Sequence, residues 1–177
     1  QVCDATVTYH GSTTGKLIEC NAVLDSKRKV IDNVKRLLTG MRGLLSYQQG
    51  KYRLVVETTG TSQLTLTKDN TIGGIKVSSE RKNNKFNRML VEFTNPDKNF
   101  QSDTVVYDTN HSSLLTEDNS ILQEGRLSLP TITNIHQAKE MGRVALLRSR
   151  NSLSVSLKAN YQALNLIVGD IVSVTEE

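Results

Sequence analysis

The residues that could do chemistry are few and scattered. Residues 11–16 read Gly-Ser-Thr-Thr-Gly-Lys. A phosphate-binding loop needs four residues between its glycines, so that backbone N–H groups wrap the phosphates, and a Ser or Thr after the lysine for magnesium. Here three residues intervene and Leu17 follows Lys16, so the segment reads as a polar turn. His10, His111 and His136 stand alone, none with a partner at metal-ligand spacing. No serine lies in a Gly-x-Ser-x-Gly context. Glu117 and Asp118, with Asp103 and Asp108 nearby, could gather a calcium ion, but no stretch matches the twelve-position calcium loop, and solvated loop charge is the plainer reading. Asn110-His111-Ser112 fits a glycosylation acceptor, which matters only in a eukaryotic secretory setting. Cys3 and Cys20 pair if two N-terminal strands lie side by side and are otherwise two reduced thiols, the reading favoured by analogy with cytosolic chains. The sequence therefore assigns no catalytic, cofactor-binding or metal-ligating residue, and implies no cofactor and no small-molecule substrate. A structural protein is expected rather than an enzyme.

Bulk properties narrow the class. The chain has 177 residues, 37% hydrophobic and 23% charged, which fits a soluble folded protein of one large or two small domains. No stretch approaches ~18 uninterrupted apolar residues, so no membrane-spanning helix is expected. The chain opens QVCDATVTYH, without initiator Met, basic region or apolar region, and ends SVTEE where a strand would finish. A piece of a longer protein is the expectation. Net charge is +4, all of it in the first half: residues 1–80 hold 11 basic and 7 acidic side chains, residues 81–177 hold 11 of each. The excess sits mainly in Lys27, Arg28, Lys29, Lys35, Arg36 and Arg42. Such a cluster could bind nucleic acid. Aromatic residues are only 5% and form no stacking platform, so the polar side of an amphipathic helix is the better reading.

The elements that would position these groups follow from periodicity. Residues 17–24 read as a strand. Val30, Ile31, Val34, Leu37, Leu38 and Met41 recur at helical spacing, which predicts a helix over 28–40 with one buried stripe, capped near Asp25 and Ser26 and ended by Gly40 and Gly43. Asp32 and Arg36 lie one turn apart on its other side. A β-hairpin is expected at 44–57 around Gly50, then a strand at Leu64–Leu66, a break at Gly73-Gly74 and a strand over 75–80. Residues 81–87 look like a junction. Strands follow at 88–94, closed by Asn95-Pro96-Asp97, at 103–108, and at 126–129, which stops at Pro130. Residues 109–123 read as an irregular arm. A second helix starts at Asn134, with Gln137 completing a capping box, and carries Gly142 as a place for close backbone crossing. Strands at 152–159 and 170–175 finish the chain. The expected fold is α+β in two modules: a strand-helix-hairpin unit over 1–80, and over 81–177 a curled, mainly antiparallel sheet or barrel with one flanking helix.

An ordered series of phrases resembles one family. MLVEFTNPDKNFQSDTVVY (89–107), LSLPTITNIHQAKEMGRVALLRSR (127–150) and ALNLIVGDIVSVT (163–175) are similar to segments of phage tail-tip proteins, the central-fibre or host-specificity proteins of lambda-like siphophages. CNAVLDSKRKVIDNVKRLLTGMRGLLSYQQGKYRL, beginning at Cys20, looks like the module upstream of them. The resemblance implies a baseplate-hub piece located in the virion tail and made in the bacterial host cytoplasm. Its partners would be other tail-tip and tail-tube proteins, with a homotrimeric ring in the full-length protein. It also implies a tube-like barrel with a flanking helix. The regions such proteins turn toward a receptor are not among the matching phrases. Strands 152–159 and 170–175 would supply edges that pair across subunits and a polar face for a hydrated lumen, and the 108–124 loop would contact a neighbouring subunit. The competing readings are a basic nucleic-acid-binding module using Lys27, Arg28, Lys29, Lys35 and Arg36, and a fragment of a cell-wall-degrading enzyme.

Overall fold

The computed structural model describes residues 5–9, 13–57, 59–79, 85–108 and 111–175. Strands β1 (Thr6–Tyr9) and β2 (Thr13–Lys16) pair antiparallel, with Val7 opposite Gly15. Thr13–Lys16 is thus strand rather than turn. Residues 17–24, expected as a strand, carry no regular secondary structure. Their backbone is held elsewhere: the Glu19 N–H donates to Gln137 Oε1 at 3.0 Å and the Asn21 N–H to the Thr131 carbonyl at 3.0 Å. Helix α1 (Val30–Met41) begins at Lys29, which makes no side-chain cap, while Asp25 accepts from the Lys27 N–H in the preceding turn. It ends on Arg42 in the left-handed region (φ 53) rather than on a glycine. Gly40 has another use: a Cβ there would lie 2.7 Å from Thr131 Oγ1, so only glycine lets the helix approach this closely.

Strands β3 (Gly43–Gln48) and β4 (Lys51–Val56) form the expected hairpin; Gln49 (φ 52) and Gly50 (φ 76) supply the two positive φ values of its turn. Strand β5 (Leu64–Leu66) precedes β6 (Thr71–Ser79), which runs through Gly73-Gly74 instead of breaking there. Strand β7 (Arg88–Asn95) turns through Pro96, with Asn95 Oδ1 accepting from the Asp97 N–H, into β8 (Gln101–Tyr107). The arm expected at 109–123 contains helix α2 (His111–Glu117). Then come β9 (Glu124–Leu129), α3 (Ile135–Arg150), β10 (Leu153–Ala159) and β11 (Val172–Val174).

Packing divides the chain into two compact units that do not coincide with the expected modules. Unit 1 joins residues 1–43 to 81–152, and unit 2 joins 44–80 to 153–177. The cause is strand pairing. β10 pairs antiparallel with β6, shifting register between Ser156 and Lys158 opposite the Gly73 region, and β11 pairs parallel with β5. Those two ladders draw the C-terminal strands back to residues 64–79. The class is α+β as expected. Among the described residues, however, the sheets have two or three strands and none closes into a barrel.

Unit 1 is built on a three-stranded sheet in the order β8-β7-β9, antiparallel between β7 and β8 and parallel between β7 and β9. Met89, Val91 and Phe93 alternate onto one face and meet Val105, Tyr107 and Leu129; α3 covers them with Ala138, Met141 and Leu146. A fully buried Val, Leu or Phe contributes roughly 1.5–3 kcal/mol, so this layer is the main source of the unit's stability. Gly142 allows the close crossing expected of it, since a Cβ there would stand 2.8 Å from Val91 Cγ2.

Candidate functional site

Residues 111–124 are pinned to the rest of unit 1 by polar contacts. Asn87, fully buried, donates through Nδ2 to Asp118 Oδ2 (3.0 Å) and the Ile121 carbonyl (2.8 Å), and its Oδ1 accepts from the Gln123 N–H (3.0 Å). The Asn87 carbonyl meets His111 Nδ1 at 3.0 Å. Arg150, at the end of α3, forks onto Asp118 (2.7 Å) and Glu117 (2.6 Å). Burial alone would lower the pKa of this guanidinium; the hydrogen bonds to Asp118 and Glu117 outweigh that and raise it. Arg88 binds Glu124 at 3.2 Å. An arm so held presents its apolar side chains in fixed places, and Ile121 and Leu122 stay exposed.

The carboxylates singled out for calcium are therefore apportioned differently. Glu117 and Asp118 do come together, on the guanidinium of Arg150. Asp103 lies toward the far end of the sheet, opposite Phe93, bound to Lys98 at 2.9 Å and Asn95 at 2.7 Å. Those bonds, from Lys98 first and Asn95 second, hold its pKa below the ordinary aspartate value. Among the described residues no group of His, Cys, Asp and Glu is placed to hold a metal ion. His136 is half-buried in the first turn of α3, and His10 lies outside the described residues. Cys20 is exposed and free, whereas Cys3 lies outside the described residues. Glu140 grips Arg143 at 2.6 Å, and this hydrogen bond raises the arginine's pKa. Of the basic cluster, Arg28 pairs with Asp25 at 3.5 Å, while Lys35 and Arg36 ride on α1.

In unit 2 the β6–β10 ribbon has two unlike faces. Val155 stands opposite Val77 on one, Ser154 opposite Ser78 and Ser156 opposite Lys76 on the other. The apolar face is open: Leu153 is 69% and Val77 56% exposed. On the β3–β4 hairpin, Tyr47 and Tyr52 pack ring to ring at 4.8 Å and both remain mostly exposed. Among the described residues each sheet of this unit has only two strands, so every strand keeps one unpaired edge. The alternation in 152–159 announced the ribbon. Nothing local announced its partner, and nothing in the polar run 109–120 announced α2.

Among the described residues the arrangement offers exposed apolar surfaces and unpaired strand edges. The chain is 25% identical over 166 residues to the baseplate hub protein pb3 of Escherichia phage T5, an overlap covering 94% of this chain and 17% of that protein. The chain thus spans well under a fifth of that relative's length. Residues 29–177 match the family model described as "Putative phage tail protein". With most of its length matched, the chain belongs to this family of phage tail proteins, whose role is structural and whose place is the virion tail.

Proposed function

We propose that the chain is a hub module of a phage tail tip, assembling with other tail-tip and tail-tube proteins and, in the full-length protein, with two further copies of itself. The observation that carries this reading is the open construction of unit 2. A two-stranded ribbon is marginal in water, and exposed apolar side chains next to free ladder edges mark places where another chain adds strands or covers a face. The apolar face of β6–β10, bearing Leu153, Val155 and Val77, would be covered on assembly, and its Ser/Lys face would line a hydrated passage. The family match and the likeness to a baseplate hub protein support the same reading.

Light scattering of the full-length protein across a concentration range tests it. A trimer that persists on dilution is the expected result; a monomer at every concentration overturns self-assembly. The same preparations test the competing classes: release of dye from labelled cell walls would establish an enzyme, and salt-sensitive retention of DNA a nucleic-acid-binding module.

A further inference from the structure

Two surface patches in unit 1 are built alike and oppositely charged. The first is the entry to α1. Val23 is 89% and Val30 78% exposed, and Leu24 and Ile31 are also open. Residues 25–36, at and just past this entry, carry five basic and two acidic side chains. The second is the exit from α2. Ile121 is 57% and Leu122 49% exposed. Residues 108–124 carry four acidic side chains and no Lys or Arg. Arg150 and Arg88 offset part of that charge, and a net negative balance remains.

Both patches are apolar side chains left outward on a backbone that is tied down. Residues 121–123 are fixed by buried Asn87. The segment leading to Val23 is fixed where Asn21 binds the Thr131 carbonyl and Thr133 Oγ1. Side chains held in place before binding cost little further ordering. The patches also sit at opposite ends of α3. Gln137, in its first turn, accepts from the Glu19 N–H of the segment leading to Val23, and Arg150, its last residue, holds Asp118 at the exit from α2. Thirteen residues of helix separate them, roughly 20 Å, so the two patches of one copy lie apart and are presented to different neighbours.

We infer that these patches are the two halves of a head-to-tail contact between copies of this chain, the basic apolar entry to α1 of one copy seating on the acidic apolar exit from α2 of the next. Opposite charge selects the pairing and its direction, and the exposed Val, Leu and Ile side chains supply the buried area. A contact of this kind joins unlike surfaces, so it generates a ring when the rotation closes. The inference rests on the assembly reading above and names the surface used.

Sedimentation velocity of the purified chain, up to millimolar concentration and at low and high salt, tests it. The wild-type chain is expected to self-associate, more weakly as salt shortens the screening length. Lys27→Glu with Lys29→Glu in one variant, and Asp108→Lys with Glu117→Lys in another, are each expected to weaken association on the order of tenfold. In an equimolar mixture both junctions between unlike variants are complementary, so association is expected to recover as mixed pairs, a ring of three still keeping one like-charged junction. Recovery in the mixture cannot come from an unfolded variant and supports the inference; loss without recovery, in variants whose hydrogen exchange across 114–118 matches that of the wild-type chain, overturns it. Association unchanged in both variants overturns this interface and leaves the assembly reading standing. A wild-type chain monomeric at every concentration also overturns the interface, and the full-length protein's light scattering then decides the assembly reading separately.

Discussion

Asn87 shows what a single buried polar side chain can do for a surface. It has no exposure to water and satisfies three hydrogen bonds with its amide, two of them to the backbone of residues 121–123. Asn87→Ala leaves the Gln123 N–H and the Ile121 carbonyl without these partners, which costs about 2–4 kcal/mol; the denaturant midpoint of unit 1 is expected to fall accordingly. Asp103 carries a pH signature instead. Its pKa is lowered in the folded chain, chiefly by Lys98. It therefore contributes stability that is full above the ordinary aspartate value and lost as pH falls through the lowered one. Asp103→Asn is expected to flatten the acid limb of the stability profile, measured as denaturant midpoints from pH about 5 down to about 2. Sequence alone identified Asn134 as a helix cap, and its Oδ1 does accept from His136 and Gln137. It misassigned Gln137 as the second half of a capping box. That side chain reaches residues 118 and 97 positions away instead, to Glu19 and Gly40, because burial brought two backbone groups against it that no local spacing reveals.

Elements long enough to show a period were legible; short ones were not. The sixteen residues of α3 display their apolar face plainly, and β7 and β8 alternate as half-buried strands should. Helix α2 has seven residues, too few to be stable alone, and its polar composition hid it. What makes it a helix is tertiary: Leu114 packs against the core and Arg150 bridges its last turn to α3. Arg150→Ala removes the second of these. The expected outcome is loss of amide exchange protection across 114–118 with protection of β7 and β8 retained; equal loss in both would mean that Arg150 holds the whole unit rather than this arm. Helix α1 departs from expectation: its period was clear, but the stripe expected to be buried is exposed at Val30 and Ile31 and only half-buried at Val34, Leu37, Leu38 and Met41. The helix is docked through Gly40 at one end, and Val30 stays exposed at the other.

At the scale of the whole molecule, chain order and packing part company. Residues 44–80 find their strand partners in 153–177, after the chain has passed through the sheet and helix of unit 1. Parallel pairing of β5 with β11 joins segments about a hundred residues apart, and a three-residue strand contains too little pattern to name its mate. A split near residue 80 was readable from the polar run there, whereas the return of the C-terminal strands was not. A chain ending at residue 152 puts this interleaving to the test. Unit 1 would keep every residue of its core, from Met89 to Leu146, while β5 and β6 would lose their partners. Hydrogen exchange is expected to show β7, β8 and α3 protected as in the intact chain and residues 64–79 exchanging as an unfolded segment. Protection of 64–79 without the C-terminal strands would mean that residues 44–80 fold as a module of their own. The open ribbon would then be an accessory to that module and not the feature on which it depends.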